Sequence, residues 1–214
     1  MKKRMILLVA LVFALSSVAS ASIITDVDRS LGQSGDKAPI GVFDGDTDPL
    51  ASVSGLAEGV LARSDRTHTW ENIPAGMLGY EYVRTFNNDK ASKEVDVSYL
   101  VTIGEDAPLW IAVDDRLIGD GFDGNLLEWV KLATYRFPCD VEWEDTDMDL
   151  TLRESSTTTR PLSVFMTKEI LPAGTYDFGL NISGRNFYSM GTVPEPMTIA
   201  LLGFGGLALL RRKR

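Results

Sequence analysis

Cysteine is nearly missing from this chain. Cys139 stands alone, so no internal disulfide can form; a buried free thiol is the expected state and an interchain pair the alternative. Histidine is as scarce. With His68 the single imidazole, the usual zinc sites are excluded, and neither G-x-S-x-G nor H-E-x-x-H surrounds it. Spacing alone does not exclude a Cys139–His68 nucleophile pair. Between the two terminal segments there is no long stripe of 3.6-residue period and no internal repeat, which argues against a helical bundle or a solenoid. Cations are few there. Residues 22–193 hold 14 Lys and Arg against 29 Asp and Glu, because three of the 21 cations lie before them, four after, and Glu195 is the one acid outside. A formal charge of about −15 argues against nucleic acid or anionic lipid as partners and fits a solvated extracellular surface, or one that gathers divalent cations.

The termini are richer. Met1-Lys2-Lys3-Arg4 is a positive start, residues 5–15 are an uninterrupted apolar run, and Ala19-Ser20-Ala21 is a small-x-small site. That is the layout of a secretory signal peptide, expected to be handled by the Sec export machinery and cut by signal peptidase after Ala21. Eleven apolar residues are short for an uncleaved anchor. At the other end Val193-Pro194-Glu195-Pro196 is followed by an apolar stretch over 197–210 and then Arg211-Arg212-Lys213-Arg214. As a helix, fourteen residues reach about 21 Å, short of a hydrocarbon core of about 30 Å. Gly203, Gly205 and Gly206 weaken that helix. The four terminal cations stop translocation and stay cytoplasmic. Pro194 and Pro196 keep the approach extended. A marginal span beside a stiff motif suits a transient membrane anchor; an ordinary single-pass tail is the alternative.

This tail closely resembles the PEP-CTERM sorting signal, carried by VPEP at 193–196, the span at 197–210 and RRKR at 211–214. The resemblance implies recognition and processing by an exosortase-type membrane peptidase. It further implies anchorage in the inner membrane before the cut, then delivery to the cell surface or extracellular matrix of a Gram-negative bacterium that builds exopolysaccharide or biofilm.

Between the signals, residues 22–192 read as one domain of strands. Residues 94–103 place Val95, Val97, Tyr99, Val101 and Ile103 on one face at period two. Residues 110–113 are a short apolar run, and residues 164–166 and 175–182 give further strands, the last alternating Tyr176, Phe178, Leu180, Ile182. Residues 80–86 suit a strand with a buried face, and residues 126–132 one short helix. Turns at 87–89, 119–121, 123–125 and 172–174 separate them. The expected fold is all-β, an antiparallel β-sandwich or jelly-roll ectodomain. The series LGYEYVRTFNNDK at 78–90, WIAVDDR at 110–116 and LPAGT at 171–175 resembles a non-catalytic β-sandwich module of secreted bacterial polysaccharide-active proteins. That resemblance implies carbohydrate association or adhesion without an active site.

Three acidic groups are candidates for calcium. Asp44, Asp46 and Asp48 alternate as in loop-type sites, but Pro49 and Gly55 depart from the EF-hand pattern. Asp114, Asp115, Asp120 and Asp123 would converge with Asn125 if their loop folds back, although a strand end salt-bridged to Arg116 explains Asp114 and Asp115 without a metal. The run from Asp140 to Asp149 slips in its alternation between Glu144 and Asp145, as a bulged strand with a wet face would. For sugar stacking, Trp129 and Trp143 are the candidates for exposure, while Trp110 belongs in the core. The reading is an exported, non-catalytic surface or matrix protein associated with exopolysaccharide. The alternatives are a secreted carbohydrate-active hydrolase using paired carboxylates, and a matrix protein without glycan specificity.

Overall fold

A computed structural model of the chain describes residues 22–31, 55–87, 97–117, 126–132, 141–179 and 188–194. The nine strands are β1 (Ile24–Leu31), β2 (Thr69–Glu71), β3 (Glu81–Val83), β4 (Val97–Ile103), β5 (Leu109–Asp114), β6 (Trp143–Ser155), β7 (Thr158–Thr167), β8 (Gly174–Phe178) and β9 (Ser189–Thr192). One helix, α1 (Leu126–Leu132), and single 3-10 turns at Ala75–Met77 and Asp115–Leu117 complete the described elements. All strand pairs are antiparallel. They form a three-stranded sheet, order β1-β4-β8, and a six-stranded sheet, order β2-β6-β7-β5-β9-β3. The fold is an antiparallel β-sandwich.

The small sheet shows why alternating residues make a strand. Tyr99, Val101 and Ile103 of β4 point inward with Val27 of β1 and Phe178 of β8. The opposite face is polar: Asp26, Thr102 and Thr175 lie in one row, Asp28, Leu100 and Asp177 in the next. The inward set meets Val83, Leu109, Ile111, Val113, Phe165 and Met190 from the large sheet in one apolar cluster.

The large sheet behaves differently, because its other face is buried as well. There Tyr82, Trp110, Ala112, Leu150, Leu152, Leu162 and Val164, with Trp70 of the edge strand β2, pack beneath Leu56, Ala62 and Met77 from the rest of the segment 55–80, which lies across the sheet. Every residue of β5 is buried. A strand covered on both faces has no polar side to write into its sequence, so WIAV appears as an unbroken apolar run. The covering segment is held by Leu56 N–H donating to Tyr80 O at 2.8 Å and Gly79 N–H donating to Leu56 O at 2.9 Å. Its two strands of chain approach so closely that a Cβ on Gly55 would lie 2.7 Å from Gly79 O, and Gly55 also has φ +73°.

Several elements are longer, shorter or additional to the expectation. The 164–166 strand is the end of the ten-residue β7, whose first half carries Pro161 just past the pairing with β5 at Leu162, where that flank is open. The acidic run lies in β6, with a register break between Asp145 and Met148. Asp147 takes φ +54° there, its N–H bonded to Asp145 Oδ1 at 3.0 Å, and Thr146 Oγ1 donates to Val164 O at 2.7 Å. The expected bulge is present. Residues 94–96 and 180–182 of the expected strands lie outside the described residues.

β9 has little strand character in its sequence, Ser-Met-Gly-Thr, yet all four residues are buried between β5 and β3. Gly191 is required by its neighbours: a Cβ there would fall 1.9 Å from Glu81 O and 2.8 Å from the Trp110 ring. Trp110 lies across this gap and donates its Nε1 hydrogen to Thr192 O at 3.2 Å. Gly191→Ala should therefore destabilise the domain by about 3 kcal/mol or more. Urea unfolding measures this, and Gly76→Ala, at an open position, is the control expected to change little.

Candidate functional site

The apolar layer beneath segment 55–80 gives way, at the end of β5, to a dense set of charged side chains. Arg63 is fully buried and its Nη1 donates to Ser189 Oγ at 2.6 Å and to Thr85 Oγ1 at 3.1 Å. Burial pushes its guanidinium down to about 10, against the pull of Asp65 and, further on, Asp114, so it stays charged at neutral pH. Asp114, also fully buried, receives Arg116 Nε at 2.8 Å on Oδ1 and Arg116 Nη2 on Oδ2, a two-point pair. Arg116 also lies 3.5 Å from Glu154, which Arg160 holds at 3.0 Å. Asp65 accepts the Asn87 N–H at 2.7 Å and pairs with Arg66 at 3.3 Å.

These residues come from four separate places in the chain. Segment 63–68 supplies Arg63, Asp65, Arg66 and His68. The stretch after β3 supplies Arg84 and Asn87. The end of β5 supplies Asp114 and Arg116, and the β6–β7 hairpin supplies Glu154 and Arg160. Segment 63–68 is pinned by Ser64 N–H to Thr85 O at 3.1 Å and Ser64 Oγ to Arg84 O at 2.7 Å. Arg63, Arg66, Arg116 and Arg160 act on the three carboxylates of Asp65, Asp114 and Glu154, with Asp115 adjoining, so in a chain this acidic the cations here about balance the acids. The side chains of Arg66, Arg116 and Arg160 reach solvent with 37%, 29% and 33% exposure.

His68 sits within this set, buried, with Nδ1 lacking a hydrogen-bond partner among the described residues. Burial lowers its pKa, and Arg63 and Arg66 lower it further, against Glu154 and Asp65. Beside the cluster, Asp115 Oδ1 accepts from Ser163 N at 2.9 Å and Ser163 Oγ at 2.8 Å. The Asp149 carboxyl is raised by partial burial and by the nearby Asp115 and Asp145.

The structure separates the residues singled out from sequence. Asp114 is engaged by Arg116, the strand-end salt bridge, and Asp115 by Ser163. Asp44, Asp46, Asp48, Asp120 and Asp123 lie outside the described residues, as do Ala19, Ala21, Glu195, Pro196 and Arg211 to Arg214. Among the described residues no group of three or more His, Cys, Asp or Glu is placed to hold a metal ion, and no helix is long and apolar enough to cross a membrane. Trp143 is a correction: it is 4% exposed and packs in the inter-sheet core. As the first residue of β6 it precedes the bulge, so it shares the inward face while its acidic neighbours point out. The Trp129 side chain is not described, and Trp110 and Trp70 are buried. Sequence reasoning missed Arg63, Arg84, Glu154 and Glu81. RSDRTH at 63–68 reads as a solvated loop, and nothing local signals that it folds against a sheet.

Because the folded protein keeps His68 neutral to lower pH than the unfolded chain does, unfolding takes up a proton once pH falls below about 6.5. The His68 contribution is constant above that pH, is lost progressively as pH falls towards the lowered folded value, and levels off beneath it. His68→Gln should flatten the stability–pH curve in this window, and leave it unchanged from pH 7 to 8. Urea unfolding at half-unit pH steps measures both.

No protein-family model matches the chain, and no curated protein matches it. Among solved structures, a β-glucuronidase from glycoside hydrolase family 2 is similar at 16% identity and a TM-score of 0.45, over 67% of this chain and 13% of that one. The chain thus spans about an eighth of that enzyme's length. A likeness of this degree carries no argument about substrate or chemistry.

Proposed function

We propose that this is an exported protein, sorted and processed through the tail beginning at Val193, whose non-catalytic β-sandwich associates with acidic exopolysaccharide through its arginine-lined end. The observation that carries the reading is where that end lies. Glu81 pairs with Thr192, and the Glu81 carboxylate also holds the start of β1, so both flanks of the domain leave from one end of the sandwich. Leu109 pairs with Thr192 at that end, and β5 then runs five residues, about 17 Å, to Asp114 in the charged cluster. A domain held by its tail before processing presents the arginines away from the membrane. Guanidinium groups bind carboxylates by paired hydrogen bonds, and Arg66, Arg116 and Arg160 are the part of the cluster that a uronate-bearing chain would reach. The outer face of the small sheet, with Asp26, Asp28 and Asp177, would repel such a chain unless divalent cations bridge it.

A hydrolase remains a second reading on one observation, the raised Asp149 carboxyl beside Asp115. Affinity electrophoresis of the exported chain through gels loaded with neutral or uronate-bearing polysaccharides, with Ca²⁺ or with chelator, tests both. Retardation on uronate gels should fall several-fold in an Arg66→Ala/Arg160→Ala variant and persist in chelator. Retardation lost only in chelator would move binding to the acidic loops. Shortened polymer, abolished by Asp149→Asn, would establish the hydrolase. Free migration on every gel contradicts glycan association.

A further inference from the structure

Glu81 is a nearly buried carboxylate, 9% exposed, at the edge of the large sheet. Its oxygens accept three hydrogen bonds, from Ile23 N at 3.0 Å on Oε1, and from Ile24 N at 2.8 Å and Ser22 Oγ at 2.9 Å on Oε2. All three donors are neutral. Among the described residues no Lys or Arg forms an ion pair with it. A buried carboxylate without a cation is costly, and proteins ordinarily supply one. Here the three donors belong to consecutive residues, and the first of them, Ser22, directly follows Ala21.

We propose that Glu81 is the seat of a new amino terminus, created when the chain is cut after Ala21. The inference rests on the export reading above. Hydrolysis of the Ala21–Ser22 amide adds the water hydroxyl to the Ala21 carbonyl carbon and a hydrogen to the Ser22 nitrogen. The freed amine, whose ordinary pKa is about 7.7–8.0, binds a further proton in neutral solution. The Ser22 nitrogen is one residue, at most about 3.6 Å, from Ile23 N, which is itself 3.0 Å from Oε1, so the ammonium can come within the range of about 4–6 Å over which opposite charges act strongly. In the uncut chain the same nitrogen is a neutral amide. Cutting therefore supplies the missing cation and fastens β1 to the large sheet.

The consequence is directional. Ile23 and Ile24, 1% and 5% exposed, anchor β1 in the core between the sheets, and Ile23 O accepts the Gly104 N–H at 2.8 Å. Tightening the strand's first residues secures the edge of the small sheet beside the place where β9 leads into the sorting motif. Export would thus complete the fold at the end that faces the membrane.

The test uses the exported chain, with its first residue identified by mass spectrometry. Thermal unfolding compares the free Ser22 amine with the same chain acetylated there, each with Glu81 and with Glu81→Gln. The midpoint should fall on acetylation by about 2–4 °C for every fivefold loss in the folding constant, and acetylation should have much less effect in Glu81→Gln. The Ser22 amine of the unaltered chain should also titrate above its ordinary range. Equal acetylation shifts in both backgrounds, or an unshifted amine, would overturn the seat while leaving export intact. A first residue other than Ser22 would overturn the cleavage position and the seat with it. Should Glu81→Gln fail to fold, the acetylation shift and amine titration of the unaltered chain decide alone.

Discussion

A six-stranded sheet with large apolar side chains on both faces has to be covered twice. Trp110, Leu150, Leu152, Leu162 and Val164 point one way while Leu109, Ile111, Val113 and Phe165 point the other, and each such side chain contributes about 1.5–3 kcal/mol only when removed from water. The small sheet covers one face. Among the described residues no second sheet covers the other; the irregular parts of segment 55–80 do so, with Leu56, Ala62 and Met77. The close passage of Gly55 by Gly79 and the gap left by Gly191 for the Trp110 ring are both conditions of that covering.

The same layer accounts for the charges. Between Ala62 and Trp70 the same segment carries Arg63, Asp65 and His68, which lie close to Asp114 and Glu154. Buried ions hold a structure only when their partners are in place, so the arginine-rich end is as much fixed by the covering layer as the core is. Arg66, Arg116 and Arg160 form its rim, paired with Asp65, Asp114 and Glu154 while part of each side chain reaches solvent. At the far end of β5, Glu81 joins the start of the domain to its end, since it contacts β1 through its side chain and β9 through its backbone.

How much of this was written in the sequence depends on the range of the interaction. Elements with a local pattern were legible. β4 alternates, α1 carries its apolar residues over 126–132, and the break in the acidic alternation appears as the bulge in β6. Arg116 folding back on Asp114 is a contact between residues two apart, and it too was foreseen. β9 was not, because Ser-Met-Gly-Thr becomes a strand only where two neighbours supply its partners. Trp143 was misplaced because its acidic neighbours set the apparent character of the whole run. The charged cluster was invisible because its contacts are long-range: Arg63 meets Ser189 across 126 residues.

The double burial of the large sheet is tested most directly by native-state hydrogen exchange. The amides of Trp110, Ile111 and Ala112 in β5 should exchange only through global unfolding, with opening free energies equal to that from urea denaturation, while those of β8 at the small-sheet edge open more readily. Exchange in β5 as fast as in β8 would mean that segment 55–80 does not seal the sheet, and would contradict the structural account.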